Sequence, residues 1–526
     1  MESIELLYSK KPSSGLILAL MNPVIYDHAV NDCHLIETHA SWIILTGDFA
    51  YKIKKPVNLG FLDFSTLEKR HFLCKEELRL NQRLAPQMYL ELVTITGTPE
   101  KPVLNGTGKP VEFAVRMLQF PQEVQLDRML ASGEIGTFHI DTIARLVADF
   151  HKKTMVASKD STYGDPEHIR KPVENNFIQI NKNRKKAEHP LSNELEAWCK
   201  SFFDELKPVF IKRKAEGFIR ECHGDMHLRN IAWINNTPVV FDCIEFDPDL
   251  RWIDVISEIA FLVMDFEARM HPQLSRRFLN VYLEESGDYA GVRVLPFYLV
   301  YRALVRTKIA AIRAGQQDIS EEEKAEAEKE FFNYLQLAKS SSKISAPKLI
   351  ITRGLSASGK STITMQLLEQ MDAIRIRSDV ERKRIFGISR KESIETTYCQ
   401  NIYSPEATKK TYDKLAGLAE KILDTGYPVI VDAAFLKFEE RGKFRELAEA
   451  KKVPFIILEF LATHDTLRQR IIKREKNVSD ADLSVLEQQI AKWQPLDKRE
   501  KDRAITIDTE TPVDIMLLAE KVKDFY

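Results

Sequence analysis

The sequence predicts two domains of different class joined by a short linker: an α+β domain with a small sheet lobe and a larger helical lobe, then an α/β domain with a parallel sheet. Three observations carry this reading. In the first part strand signals cluster early and apolar helices late. In the second part short apolar runs alternate with helical segments. Between them, from Ser320 to Pro347, the composition changes abruptly. A chain of 526 residues, 44% hydrophobic and 29% charged, is long enough for several cores and is neither disordered nor of low complexity.

Residues 42–45 and 49–54 are β-rich runs separated by Thr46-Gly47-Asp48, which predicts a hairpin. In its second strand Ala50, Lys52 and Lys54 share one face, and Phe49, Tyr51 and Ile53 the other. Helical periodicity covers residues 67–84 and 140–151, a strand covers 112–116, and residues 254–264 and 296–313 read as largely apolar helices. Strong helix formers after Ser320 run into the Ser-rich stretch SSSKISAP, closed by Pro347. The domains are therefore expected at residues 1–340 and 347–526, with 341–346 as linker. In the second, residues 349–352, 373–377, 428–432, 454–460 and 504–508 are short apolar runs between helical segments, the pattern of a parallel sheet with helices on both faces. No internal repeat is visible.

The charge balance, 76 Lys+Arg against 77 Asp+Glu, argues against a protein that mainly coats nucleic acid, although a local basic patch is compatible with it. The six cysteines are scattered without CxxC spacing and read as reduced thiols. No run reaches the roughly 18 apolar residues of a membrane span, and the short run after Gly15 lacks a cleavage pattern. The expectation is a cytoplasmic protein with no membrane partner. The oligomeric state is open.

Gly354-Leu-Ser-Ala-Ser-Gly359-Lys360-Ser361 matches GxxxxGK[ST], the Walker A pattern, between a predicted strand and a predicted helix. Glycines at 354 and 359 let the amides of a loop containing Ser356, Ala357, Ser358 and Thr362 turn toward phosphates. Lys360 then reaches the β/γ-phosphates and the Ser361 hydroxyl ligates Mg²⁺. Asp379 and Arg382 follow the next strand, where α/β proteins bind ligands. Asp379 is a candidate base and Arg382 a candidate partner of the acceptor or transferring group, the alternative being that Asp379 caps the following helix. Asp432 ends an apolar strand as a Mg²⁺-binding acid would, or as an ordinary strand-end Asp. Arg470 and Arg474, four apart on a predicted helix, form either a phosphate-closing lid or a solvated basic face.

In the first part His223-Gly224-Asp225-Met-His227-Leu-Arg-Asn230 has the Asp-to-Asn spacing of a kinase catalytic loop, and a predicted strand delivers Asp242 twelve residues later. Asp225 would take a proton from an acceptor hydroxyl, with Asn230 and Asp242 holding Mg²⁺. Upstream, Lys52 or Lys54 would reach the α/β-phosphates, with Glu77 or Glu76 as its ion-pair partner; Lys52 and Glu77 are preferred. Residues 117–121 occupy the place of an interlobe hinge.

The second part resembles the P-loop kinases that include polynucleotide 5'-hydroxyl kinases, zeta toxins and small-metabolite kinases. That resemblance implies a P-loop NTPase fold and transfer from ATP to a hydroxyl, with Asp379 as base, Arg382 on the acceptor side and Arg470 and Arg474 as lid residues. The first part resembles aminoglycoside phosphotransferases, which implies a two-lobed protein-kinase-like fold with Asp225 as base and Asn230 and Asp242 as metal ligands. It departs from that pattern in having no GxGxxG before Lys52. The whole chain resembles a bacterial group of fused kinases, in which the run from His34 to His39 (HxxETH) looks distinctive. A metal site from His28, His34, Glu37 and His39 is disfavoured, because strand alternation separates residues 34 and 39.

The leading expectation is a bifunctional enzyme with ATP and Mg²⁺ at each of two independent sites, acting on small-molecule hydroxyl acceptors. The alternative is a C-terminal polynucleotide 5'-hydroxyl kinase whose N-terminal domain is a regulatory nucleotide- or partner-binding module.

Overall fold

The structure, a computed structural model, describes residues 7–8, 14–60, 62–183, 190–316, 319–343, 346–388, 402, 404–473 and 483–525. It divides into two compact units, Met1–Arg269 with Phe297–Ser340, and Met270–Pro296 with Ser341–Tyr526. The sequence analysis kept residues 1–340 together. Residues 270–296 group instead with the second unit, because the helix Pro272–Ser286 packs there against the helix Lys360–Gln370 and the strand Ile374–Arg377.

The first unit is α+β. Its antiparallel sheet runs Leu7–Tyr8, His34–Glu37, Ser41–Leu45, Phe49–Lys54, Glu112–Leu118, Tyr89–Thr98, Lys101–Leu104. The predicted hairpin pairs Leu45 with Ala50 and Ser41 with Lys54. Alternation sorts its second strand as expected: Tyr51 and Ile53 enter an apolar core with Trp42 and Ile44, leaving Lys52 and Lys54 on the opposite face. Tyr89–Thr98 escaped the sequence reading because a register shift between Tyr89 and Glu91, and a glycine at 97, blur its period of two. The helix Leu67–Asn81 packs on this sheet, capped by the Thr66 hydroxyl, which accepts from the Lys69 amide. The helical lobe includes Thr137–Lys153, Pro166–Asn183, Pro190–Ala215, Val255–Ala268 and Leu295–Ala314. Val255–Ala268 is buried without interruption from Val255 to Phe266, which explains its lack of a polar stripe.

The second unit has a wholly parallel sheet in the order Ile374–Arg377, Val429–Asp432, Leu349–Arg353, Phe455–Leu461, Ala504–Asp508. The five predicted strands are all present to within a residue or so of their expected ends. Parallel strands covered on both faces need apolar residues throughout, and Leu349, Ile350, Ile351, Val429, Ile430 and Val431 are all inaccessible. Register sets Arg377 beside Asp432 at the carboxyl ends of neighbouring strands, on the edge where ligands bind.

Candidate active sites

In the second unit the Walker A loop follows the strand Leu349–Arg353 and opens the helix Lys360–Gln370. A Cβ on Gly354 would lie 2.6 Å from Ser358 Oγ and 2.8 Å from Phe460 O, so no larger residue fits there. Ala357 (φ 64°) and Gly359 (φ 83°) are left-handed, which curls the loop into a concave nest of amides. Lys360 Nζ donates to the carbonyls of Gly354 (2.9 Å) and Leu355 (2.7 Å), folding back over that nest. Ser361 Oγ donates to Asp432 Oδ2 at 2.7 Å, so hydroxyl and carboxylate converge as the oxygen ligands of Mg²⁺ would.

Arg377 Nη2 donates to Asp379 Oδ2 at 2.7 Å, and its Nε stands 3.9 Å from Asp432 Oδ2. Asp379 lies in the first turn of Ser378–Ile385 rather than at its cap, which is Arg377. Arg382 is buried and donates to the Ile402 carbonyl at 2.7 Å. Arg470, on His464–Lys473, donates to Ala357 O (3.3 Å) and Thr509 Oγ1 (3.0 Å), which anchors that helix to the Walker A loop. Arg474 lies outside the described residues. Ser356, Ala357, Ser358, Gly359, Lys360, Ser361, Thr362, Asp379, Arg382, Asp432 and Arg470 all line one cavity of about 1300 Å³. Ser356 N donates to Gln489 Oε1 at 2.7 Å, bringing Leu483–Ala491 over the loop, a contact without a local sequence signal.

In the first unit a second cavity, of about 580 Å³, is lined by Lys52, Asp225, Asp242 and residues 117–121. Lys52 Nζ is 2.7 Å from both Glu77 Oε1 and Asp242 Oδ1. Lys54, buried and absent from the cavity wall, bonds Glu77 Oε2 (2.6 Å) and Glu245. Of the two lysines Lys52 is the one on the cavity wall, and Glu77 pairs with both; Glu76 pairs with Arg79. Glu245 was not anticipated. Burial opposes both lysine charges, but the facing carboxylates hold both ammonium groups above their ordinary range. Burial likewise opposes the Glu77 carboxylate, yet Lys52 and Lys54 hold it down at about 2. Burial keeps Glu245 above the ordinary range despite Lys54.

Asn230 Nδ2 donates to Asp225 O (3.0 Å) and Oδ2 (3.2 Å), and Phe241 N donates to Asn230 O (2.9 Å), so the loop from His223 to Asn230 and the residue before Asp242 are tied together. Asp242 has φ 64°, a left-handed conformation worth about 1–2 kcal/mol of strain for an L-residue. That turn directs its carboxylate to Lys52. Glu258 accepts from the His223 and Gly224 amides (2.9 and 2.6 Å), fixing the loop backbone from beneath. The oxygen set of Asp225, Asn230 and Asp242 suits a hard dication.

Among the described residues no glycine lines this cavity. Thr38 and Ala40, between His34–Glu37 and Ser41–Leu45, line it with Ser41, while the Gly47 turn docks through Gly47 N on Gln119 Oε1. The HxxETH run thus forms part of the cavity rim. The four polar residues weighed as a metal site disperse: His28 bonds Thr46 Oγ1 (3.0 Å), Glu37 accepts from Trp42 Nε1 (3.2 Å), and His34 and His39 are exposed. Among the described residues no helix is long and apolar enough to cross a membrane, and Cys33, Cys74, Cys199, Cys222 and Cys243 are buried free thiols.

A family model described as an AAA domain matches residues 349–496. The chain is similar to an uncharacterized protein of Mycobacterium tuberculosis, 29% identical over 458 residues, which cover 86% of this chain and 89% of that one. Among solved structures it is similar to a gluconokinase from Sinorhizobium meliloti (20% identity, 34% of this chain and 97% of that one, TM-score 0.25). It is also similar to a choline/ethanolamine kinase family protein from Mesorhizobium loti (8% identity, 62% and 98%, TM-score 0.35). The second unit is an α/β domain with a Walker A loop, the first is an α+β domain, and each holds a lysine and carboxylates on the wall of one cavity.

Proposed function

We propose that the chain is a bifunctional kinase that transfers the γ-phosphate of Mg·ATP to hydroxyl groups of small-molecule acceptors at two independent sites. The observation that carries this is the pair of cavities, each lined within one unit by a phosphate-type lysine and a candidate base. Bound Mg·ATP supplies the electrophilic phosphorus and charge neutralisation. In the first site Asp225 accepts the acceptor's hydroxyl proton, oriented by the Asn230 amide, and Lys52 steadies the phosphates. In the second, the loop amides and Lys360 hold the triphosphate, Ser361 and Asp432 supply oxygen ligands, and Asp379 takes the proton.

The smaller volume lies within the usual range of a small-ligand site, and the larger exceeds it, as a cavity holding a nucleotide and an acceptor together would. The acceptor side of the larger cavity mixes Lys409, Lys437 and Lys443 with Asp413, Glu439 and Glu440. Such a lining favours a small polar acceptor over a nucleic-acid 5' end, which calls for a uniformly basic channel. The test is a phosphotransfer assay on metabolite extracts with labelled ATP, using the full chain and its Asp225→Asn and Asp379→Asn variants. Each variant should delete a different labelled product. A product lost in both variants argues against independent sites, and labelling of oligonucleotide 5' ends with steep salt dependence favours the alternative.

A further inference from the structure

We infer that Glu284 is a positioning residue of the second phosphotransfer site, acting through Arg377 on Asp379 and Asp432. The inference rests on the reading of that site given above and adds to it a carboxylate from a helix far away in sequence.

The helix Pro272–Ser286 belongs to the second unit although it precedes the Walker A strand by more than sixty residues. Arg276, Asn280 and Glu284, spaced four apart, form one face of it. Arg276 bonds Asp372 and the Glu369 carbonyl. Asn280 Nδ2 donates to Ala373 O at 3.0 Å and its Oδ1 accepts from Arg375 N at 2.8 Å, so this helix satisfies the open edge of the strand Ile374–Arg377. One turn on, Glu284 is 3% exposed and its carboxylate is shared by two arginines, Arg375 Nη2 at 3.2 Å and Arg377 Nη1 at 3.0 Å. Arg384 Nη2 donates to the Glu284 carbonyl at 2.6 Å.

Both arginines continue into the site. Arg375 Nη1 donates to Ser361 O (2.9 Å) and Thr364 Oγ1 (3.2 Å) at the start of the Walker A helix. Arg377 spans from Glu284 to Asp379, 2.7 Å away, and approaches Asp432 at 3.9 Å. A carboxylate this deeply buried is costly without its cations, so Glu284 fixes where both guanidinium groups lie. With Glu284 neutralised, the carboxylates left to Arg377 among the described residues are Asp379 and Asp432. Asp379 is then less available to accept the acceptor's proton, and Asp432 less available to a dication.

The test uses the full chain carrying Asp225→Asn, so that nucleotide turnover reports the second site, with Lys360→Ala as the control for that attribution. Glu284→Gln should lower kcat by roughly 10–100-fold with KM for ATP, measured at saturating Mg²⁺, unchanged. Adding Glu284→Gln to Arg377→Gln should cost nothing beyond Arg377→Gln alone. Unchanged kcat in Glu284→Gln, a parallel rise in KM, or losses that multiply in the double variant would each overturn the inference. Should Glu284→Gln lose its fold, Arg377→Lys keeps the charge but lacks the planar fork that reaches Glu284 from one nitrogen and Asp379 from another, and wild-type kcat there would overturn it equally. Turnover indifferent to Lys360→Ala would instead refute the phosphotransfer reading itself, and this inference with it.

Discussion

The pair Lys52 and Lys54 allows a sharp separation of binding from stability. Both lysines share Glu77, but only Lys52 lines the cavity, with a side chain 13% exposed and a partner, Asp242, 41% exposed. Lys54 is 1% exposed and lies between two buried carboxylates. Lys54→Met leaves Glu77 its second cation but strips Glu245 of its own, and breaking a buried pair in this way costs about 3–5 kcal/mol. Glu245 is already held above the ordinary range by burial; it can take up a proton, so the lower end, about 3 kcal/mol, is expected. Lys54→Met with Glu245→Leu removes both charges and should return to within about 1 kcal/mol of the parent, since paired apolar replacement is close to neutral. Lys52→Met should cost less, because water reaches Asp242, but it should abolish ATP binding at the first site. The assay is urea unfolding of the full chain, combined with ATP titration in a Lys360→Ala background that silences the second site. Lys54→Met as stable as the parent, or ATP binding lost with Lys54→Met and retained with Lys52→Met, would refute the assignment.

Asp225→Asn should cut first-site phosphotransfer by about 10²–10⁴-fold while sparing Mg·ATP binding, measured by product formation against calorimetric titration. Asp432→Asn should raise the Mg²⁺ concentration needed for half-maximal second-site turnover by at least about tenfold, read from a metal titration at saturating ATP. Burial opposes the Glu258 charge, but hydrogen bonds from His151 and from the His223 amide hold its carboxyl down at about 2 against an ordinary 4.5. A lowered folded value means stability that is present above pH 4.5 and lost as pH falls toward 2, on the order of 3 kcal/mol. Glu258→Gln should flatten that limb in urea unfolding between pH 5 and 3. Gly354→Ala should abolish second-site ATP binding, because its Cβ would meet Ser358 Oγ and the Phe460 carbonyl.

What could be read in advance divides by the range of the interaction. The Walker A loop from Gly354 to Ser361, and the loop from His223 to Asn230, are contiguous, and the chemistry expected of them rests on residue types at short fixed spacings, so both were legible in the sequence. The parallel sheet was legible for a similar reason: strands covered on both faces need unbroken apolar runs. Lys52 could be preferred to Lys54 but not separated from it by pattern, because a period of two puts both on one face; Glu77 from the next helix, with Asp242 and Glu245 from a distant loop, distinguishes the cavity lysine from the buried one. Arg377 was passed over two residues before Asp379, although Ile-Arg-Ile-Arg in an otherwise apolar sheet is a signal: arginines at 375 and 377 share a face and, buried there, require a carboxylate. The sequence names the need but not the acceptor. The acceptor is Glu284, 93 residues upstream of Arg377, on a helix whose pattern shows that one face is buried and says nothing of what buries it. The boundary at residue 340 follows composition, whereas the compact unit follows the edge of a sheet that had to be covered. A carboxylate recruited for that covering helix therefore comes to stand behind the candidate base.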